Sequence, residues 1–453
     1  MSLLTPWKIA EVTGGRFIGT QAQCDVAVAG AVRDNRDVKP GNLFICIKGA
    51  RVDGHDFASD AFNRGAACCL AEREIPETKG PYVLVESTLD SLRVLAAYYR
   101  SLFDIPIIGI TGSVGKTSAK ELIAAVLGAK FNVHKTDMNL NNDIGVPLTL
   151  LALNESHEVA VVEMGISDFG DMTRLAIMAR PDIFVMTKIG YAHIDMLGDL
   201  QGVLKAKTET FPYMKPGGIA VMNGDDELLL GFDTGKKTYT FGLMEHNDYR
   251  GESVKTQGVD STTLDMVSAK GRFDVTIPAY GSHLSALAPA ATAVADILGL
   301  SGDEVRRGFA SYTSVDGRAK VSTHEGITLV DDCYNANPNS VKAALTSLSS
   351  LSGRRVAVLG DMLSLGQHSK QMHYDVGVFA AQCGIELLVC QGEQAAFFCE
   401  GYKSSGGASA EHFEDFEKLL ESLPNMIKKG DAVLVKASRG MHFERLLPVF
   451  SKS

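Results

Sequence analysis

Apolar positions along this 453-residue chain follow two rhythms. Short unbroken runs, such as IIGI at 107–110 and VAVV at 159–162, alternate with longer stretches whose apolar residues recur every three to four positions. The first rhythm predicts strands buried on both faces and the second predicts amphipathic helices. Their alternation predicts parallel sheets wrapped by helices. Residues 1 to about 104 read as a small mixed unit. It has an opening helix ended by Gly14-Gly15, strands at 42–47, 66–70 and 82–85, and a helix at about 89–102 before Pro106. From 105 to about 316, strands are predicted at 106–111, 158–163, 182–187 and 218–222, and helices at 116–128, 169–179 and 200–213. A polar, strand-rich insertion over 236–280 and an alanine-rich helix at 288–298, ended by Gly299, complete this part. From 317 to 453 the alternation resumes, with strands at 327–331, 355–359, 386–390 and 432–436 and helices at about 338–350, 369–382 and 440–447. Gly406-Gly407 reads as a surface loop. The expected fold is α/β in three domains, 1–104, 105–316 and 317–453, the last doubly wound.

The junction at 107–118, IIGITGSVGKTS, carries the clearest chemistry. An apolar strand running into a glycine-rich turn and then a helix forms a phosphate cradle. The backbone N–H groups of Gly112, Ser113, Val114 and Gly115 point at the anion, and the helix N-terminus adds positive partial charge. Lys116 can reach the β- and γ-phosphates of ATP, and Thr117 can place its hydroxyl on Mg²⁺. The usual spacing G-x-x-x-x-G-K-[ST] is offset, because Ile110 stands where the first glycine belongs and Gly109 comes one place early. In a parallel sheet, ligands sit at the carboxyl ends of the strands. Glu163 ends the strand EVAVVE there and reads as a metal ligand. His193, in the loop after the next strand, reads as a second, while Asp195 reads as a helix cap or surface acid. The amides of 137–151, DMNLNNDIGVPLTLL, suit either a nucleotide base or turn capping. In the last third, Asp331, Asp332 and the asparagines of DDCYNANPNS lie at another strand end. With Arg318, which can reach a polyphosphate from across a cleft, they form a second jaw of the ATP site. Lys205 and Lys207 sit on a predicted helix, and helical lysines are ordinarily solvated.

Bulk properties narrow the partners. A net charge of −10 argues against nucleic acid, and no apolar run approaches the roughly 20 residues of a membrane span. The N-terminus MSLLTPWKIAE lacks a basic segment followed by a long apolar one, so no export signal is expected. The eight cysteines contain no C-x-x-C and read as reduced thiols of a cytoplasmic protein, with Cys333 the one to test for reactivity.

The ordered set of motifs resembles the Mur ligases, ATP-dependent amide-forming enzymes of peptidoglycan precursor synthesis. Similar segments span nearly the whole chain: RDNRDVKPGNLFICIKGARVDGHDF (33–57), TGSVGKTSAKE (111–121), NLNNDIGVPLTLL (139–151), EMG (163–165), AHIDMLG (192–198), KAKTETF (205–211), DDCYNANPNS (331–340), LGDMLSLG (359–366) and VKASRGMHFE (435–444). The family phosphate loop accounts for the glycine offset. The resemblance implies a UDP-MurNAc-peptide-binding first domain, with Asn35, Arg36, Lys48, Gly49, Asp53 and His55 toward that substrate. It also implies a P-loop ATPase domain and a Rossmann-like ligase domain. It implies Lys116 on the phosphates, and Thr117, Glu163, His193 and a carbamylated Lys207 around Mg²⁺. Asn142 and Asn335 would lie near the adenine, Asp332 at the ribose and Arg318 on the phosphates. The first and last motif groups favour the member whose substrates are UDP-MurNAc-tripeptide and D-Ala-D-Ala, expected as a monomer. Alternatives are a sister ligase adding one amino acid, or a nucleotide-binding regulatory homologue impaired in catalysis. An acyl phosphate must be shielded, so hinges are expected near 104–106 and 314–318. The chain departs from the family at Leu287, where asparagine is usual near the adenine, at Asn35 for serine, at Ser364 and Gln367 for acids, and at Lys188 for asparagine.

Overall fold

A computed structural model describes residues 1, 3–75, 80–257 and 259–451. It contains three sheets in chain order. The first has five strands, ordered Arg16–Ile18, Tyr82–Leu84, Cys68–Ala71, Asn42–Ile45, Gly30–Val32, with only the Arg16–Ile18 edge antiparallel. The second has nine strands. Its core runs Ile219–Asn223, Ile183–Met186, Ile107–Thr111, Val159–Glu163, Val133–Lys135, all parallel. Beyond Ile219–Asn223 it extends through Lys237–Gly242 into the meander Tyr249–Gln257, Ser261–Ser268, Gly271–Ile277. The third has six strands, ordered Lys320–His324, Ile327–Asp331, Asp431–Lys436, Arg354–Gly360, Leu387–Gln391, Ala410–Phe413, parallel except at the Lys320–His324 edge. The expected α/β architecture is therefore present, with a separate sheet in each part of the chain.

Burial explains the strong elements. Every residue of Ile107–Thr111 and Val159–Glu163 is buried, as covering a parallel sheet on both faces requires. The phosphate-loop helix Lys116–Leu127 packs against Ser282–Ile297, whose buried alanines at 288, 290, 291, 293 and 295 permit close approach. That helix begins at Ser282 rather than at 288, and carries Pro289 internally. The helix expected over 200–213 stops at Thr208, and Pro212 lies in a separate 3₁₀ turn, Phe211–Tyr213. The helix expected at 440–447 is instead the 3₁₀ segment Phe443–Ser451, which contains Pro448.

One apolar core crosses from the first sheet into the second. Leu92, Leu95 and Tyr99 of helix Thr88–Ser101 pack with Ile107, Val146, Leu150 and Met172. The Tyr99 hydroxyl donates to the Leu153 carbonyl over 2.9 Å, and buried Arg100 donates to the Ala179 carbonyl over 3.1 Å. Bending at 104–106 would break this core.

Candidate active site

The phosphate turn is held from outside. The Ser113 N–H donates to the Lys188 carbonyl (2.7 Å), so it does not point at an anion as the turn pattern predicts, and the Ser113 hydroxyl donates to the Gly190 carbonyl (2.8 Å). The Thr187 hydroxyl donates to the Val114 carbonyl over 2.6 Å. Gly112 and Gly115 adopt φ of +149° and +85°, where glycine is favoured. At Gly112 there is also no room, since a Cβ would lie 2.0 Å from Thr187 Oγ1. The loop 187–190 thus fixes the turn that opens helix Lys116–Leu127.

Six side chains gather at that turn: Lys116, Thr117, Asn141, Glu163, His193 and Lys207. The Lys116 ammonium donates to the Gly112 carbonyl over 2.7 Å. The Thr117 hydroxyl donates to Glu163 Oε2 over 3.0 Å, and Asn141 donates to Oε1 over 2.7 Å. His193, at φ +54°, precedes the short helix Ile194–Leu197. Lys207 is 2 % exposed on helix Leu200–Thr208 and has no hydrogen-bond partner among the described residues. Lys205, by contrast, is exposed and lies over the Phe169 ring. Burial, with Arg318 nearby, lowers the Lys116 pKa against the opposing pull of Glu163. Burial and Lys116 push Lys207 well below the ordinary lysine value. Burial, Lys116 and Lys207 hold His193 below 6.5. Burial and mutual repulsion therefore weaken the charged forms of both lysines and of the imidazole around one carboxylate.

The opposite wall comes from the third sheet. Arg318 stacks over Tyr334, its guanidinium carbon 3.9 Å from the ring centroid. Asp332 accepts from the Lys436 ammonium (2.6 Å) and the Ala319 N–H (3.2 Å). Hydrogen bonds among the described residues join the walls. Asn337 donates to the Ser113 carbonyl (3.3 Å), the Tyr191 N–H donates to Asn339 Oδ1 (3.1 Å), and the Tyr280 hydroxyl donates to the Ser347 carbonyl (2.8 Å). Between them lies a cavity of about 510 Å³. It is lined by Ser113, Val114, Gly115, Lys116, Thr117, Asn142, Glu163, His193, Lys207, Arg318, Asp332 and Asn335.

Asn142 does a turn's work in that wall, its Oδ1 accepting from the N–H groups of Ile144 (3.2 Å) and Gly145 (2.9 Å). Asn335 accepts from the Ala336 N–H over 3.0 Å. The first-sheet residues stand apart from the cavity. Arg36 pairs with Asp34, and Asn35 donates to Asp60. The backbones of Lys48 and Asp53 form an antiparallel β-bridge, and the Gly49 N–H donates to the Val52 carbonyl. His55 is buried with both ring nitrogens engaged, one toward Asp53 and one accepting the Glu72 N–H. Cys333 is 3 % exposed and its thiol pKa is raised by burial and by Asp331, so it has no thiolate character. All eight cysteines are free. Leu287 is absent from the cavity wall and packs in the apolar core against Gly115. Asn141, Asn139, His283, Tyr334, Lys436 and Arg439 also line the cavity. The asparagine-rich stretch signalled the first two, but only the fold sets Asn141 against Glu163.

Three family descriptions match the chain: "Mur ligase family, catalytic domain" over 29–100, "Mur ligase middle domain" over 110–295, and "Mur ligase, glutamate ligase domain" over 317–439. A UDP-N-acetylmuramoyl-tripeptide–D-alanyl-D-alanine ligase of Bacillus subtilis (strain 168) is 36% identical, covering 97% of this chain and 96% of its own. The protein of the same name from Escherichia coli (strain K12) is 33% identical over 99% and 98%. Among solved structures, MurF from Acinetobacter baumannii superposes with a TM-score of 0.90 at 28% identity, covering 99% of both chains. MurF ligase from Thermotoga maritima in complex with ADP gives 0.83 at 31% identity, over 93% of this chain and 97% of that one. No helix of the described residues is long and apolar enough to cross a membrane.

Proposed function

Because the chain belongs to the Mur ligase family, we infer that it is an ATP-dependent ligase joining D-alanyl-D-alanine to UDP-N-acetylmuramoyl-tripeptide, giving the pentapeptide precursor of peptidoglycan. The observation that carries this reading is the single cavity in which the phosphate turn and Arg318 face each other from different sheets. The terminal carboxylate of the tripeptide attacks the γ-phosphorus of ATP and releases ADP. The free amine of the dipeptide then attacks the acyl carbon, losing a proton and expelling phosphate. The turn N–H groups other than that of Ser113, together with Lys116 and Arg318, hold the migrating negative charge, and the two walls exclude water from the acyl phosphate.

Among the described residues there is no cluster of three His, Cys, Asp or Glu side chains suited to a metal. Thr117, Glu163 and His193 offer two oxygen donors and one nitrogen, while Mg²⁺ prefers oxygen. Buried Lys207, whose side-chain nitrogen has no hydrogen-bond partner among the described residues, completes the set once its neutral amine adds carbon dioxide and releases a proton, because the carbamate supplies anionic oxygens. These four residues would hold the magnesium, which when bound neutralises charge on the phosphates. Asn142, Asp332 and Asn335 serve the nucleoside, and the segment 35–55 receives the uridine-nucleotide substrate. We divide the chain into domains 1–104, 105–316 and 317–453, acting as a monomer in the cytoplasm. Closure falls to the 314–318 hinge, since a continuous core spans 104–106.

The test is incubation with UDP-MurNAc-tripeptide, ATP and a panel of dipeptides and single amino acids, with product mass measured. A product heavier by one dipeptide is expected. A product heavier by one amino acid, or ADP release without any joined product, would overturn the reading.

A further inference from the structure

The reaction needs a place for the incoming dipeptide, an ammonium group at one end and a carboxylate at the other. Its carboxylate calls for a cation within the cavity that is not already committed. Five lysine and arginine side chains line the cavity: Lys116, Lys207, Arg318, Lys436 and Arg439. Lys116 is bonded to Gly112 and lies at the phosphate turn. Lys207 is buried beside it, and Arg318 is close enough to Lys116 to depress its pKa. Lys436 is 2 % exposed and committed to Asp332 and to the Asn335 carbonyl, at 2.6 and 2.9 Å. Arg439 remains. It follows the strand Asp431–Lys436 in the 3₁₀ turn Arg439–Met441, at the carboxyl end of the third sheet. Its side chain is 57% exposed, and its nearest carboxylate, Glu444, stands at 3.5 Å, too far for a strong charged hydrogen bond. Its guanidinium carbon is 5.3 Å from the centroid of Tyr334, the ring that also carries Arg318. That ring sets the guanidinium one step from the phosphate-facing arginine.

An apolar wall lies next to it. Leu363 also lines the cavity and is 48% exposed, although apolar. The adjoining Gly440 leaves it space, because a Cβ there would come within 3.1 Å of Leu363 Cδ1. The Leu363 N–H donates to the Ser438 hydroxyl over 2.9 Å, which ties the wall to the turn bearing the arginine. A forked cation beside a small apolar surface suits a chain end with a carboxylate and a short alkyl group.

We propose that Arg439 binds the C-terminal carboxylate of the incoming dipeptide and that Leu363 walls its terminal side chain. This deepens the ligase reading above and rests on it. Arg439 is then a specificity residue of the acceptor, separate from the phosphate-binding cations.

The experiment compares D-Ala-D-Ala with its C-terminal amide, at saturating ATP and UDP-MurNAc-tripeptide, in the full-length protein and in R439M and R439K. The unaltered protein should prefer the acid by about 10- to 100-fold in kcat/KM, the range of a charge-assisted hydrogen bond. R439M should raise the dipeptide KM by a similar factor, leave the ATP KM within about twofold, and bring the acid-to-amide ratio near one. R439K, which keeps the charge without the fork, should fall between. An R439M protein that is slower but keeps the full acid-to-amide preference would overturn the proposal. So would equal use of acid and amide by the unaltered protein. Absence of joined product from any dipeptide in the unaltered protein would instead strike the ligase reading itself.

Discussion

Thr117 and Glu163 are joined by a 3.0 Å hydrogen bond that ties the first turn of the phosphate-loop helix to the end of the neighbouring strand. Asn141 holds the other carboxylate oxygen at 2.7 Å, and the Glu163 N–H donates to the Thr136 hydroxyl at 2.9 Å. The carboxylate is thus oriented before any cation arrives, its position set by three separate segments.

Asn141→Ala removes one of those constraints without touching charge. Orienting partners of metal-ligating groups are typically worth about 10- to 100-fold in affinity or activity. We expect ADP release to fall within that range and to need more magnesium for half-saturation. A magnesium titration checks this, and an unchanged half-saturation point would contradict the orienting role of Asn141.

The lysine pair separates by burial. Lys207→Ala should lose nearly all ligase activity and regain part of it when a short carboxylic acid is added, since that acid can occupy the vacated space as an anion. Lys205→Ala should remain near the unaltered rate, because its ammonium is exposed over Phe169. Side-by-side assays with and without added acid decide the matter, and rescue of the Lys205 variant alone would reverse the assignment.

The buried strands were legible because covering both faces of a sheet leaves a continuous apolar run, as in 107–111 and 159–163. The weaker elements were not. Val133–Lys135 has only three residues and none is fully buried, and the edge strand Lys320–His324 likewise lacks a buried run. The amphipathic helix Phe416–Met426 carries Pro424 near its end, which blurs a helical period. In the site, Lys116 and Thr117 could be read from local spacing. The link from Asn141 to Glu163 could not, because 22 residues separate them and only the fold carries the loop after Val133–Lys135 to the end of the Glu163 strand. Leu287 stands where the family usually has an asparagine near the adenine, and its apolar side chain lies in the core beside Gly115.

Gly112→Ala tests the turn itself. The added methyl would meet Thr187 Oγ1 at 2.0 Å, in a backbone region that disfavours side chains. Strain and overpacking of this kind cost about 1–3 kcal/mol each. Urea denaturation should show a loss of that order, together with weakened ATP binding by calorimetry. A variant as stable as the parent with unchanged ATP affinity would remove the fixed-turn account.

His373 makes part of the fold sensitive to acid. It is fully buried on helix Ser369–Gln382, with Nδ1 donating to the Ser369 carbonyl at 2.7 Å and Nε2 accepting the Met362 N–H at 2.9 Å. Nε2 must stay bare to accept that bond, which anchors the loop presenting Leu363 and Ser364 to the cavity. Burial lowers the pKa below 6.5, outweighing the Ser369 bond and the Asp361 charge. Above 6.5 both the folded and unfolded forms are neutral and the group adds no pH dependence. Below 6.5 the unfolded chain takes up a proton that the folded one resists, so stability falls as pH falls. The decline ends once pH drops past the depressed folded pKa. One such proton contributes a slope of at most about 1.4 kcal/mol per pH unit, or about 2–4 °C per kcal/mol for a unit of 150–250 residues. Thermal melts from pH 7.5 to 5 should therefore decline more steeply for the parent than for His373→Asn. Parallel curves would show that His373 is not the group responsible.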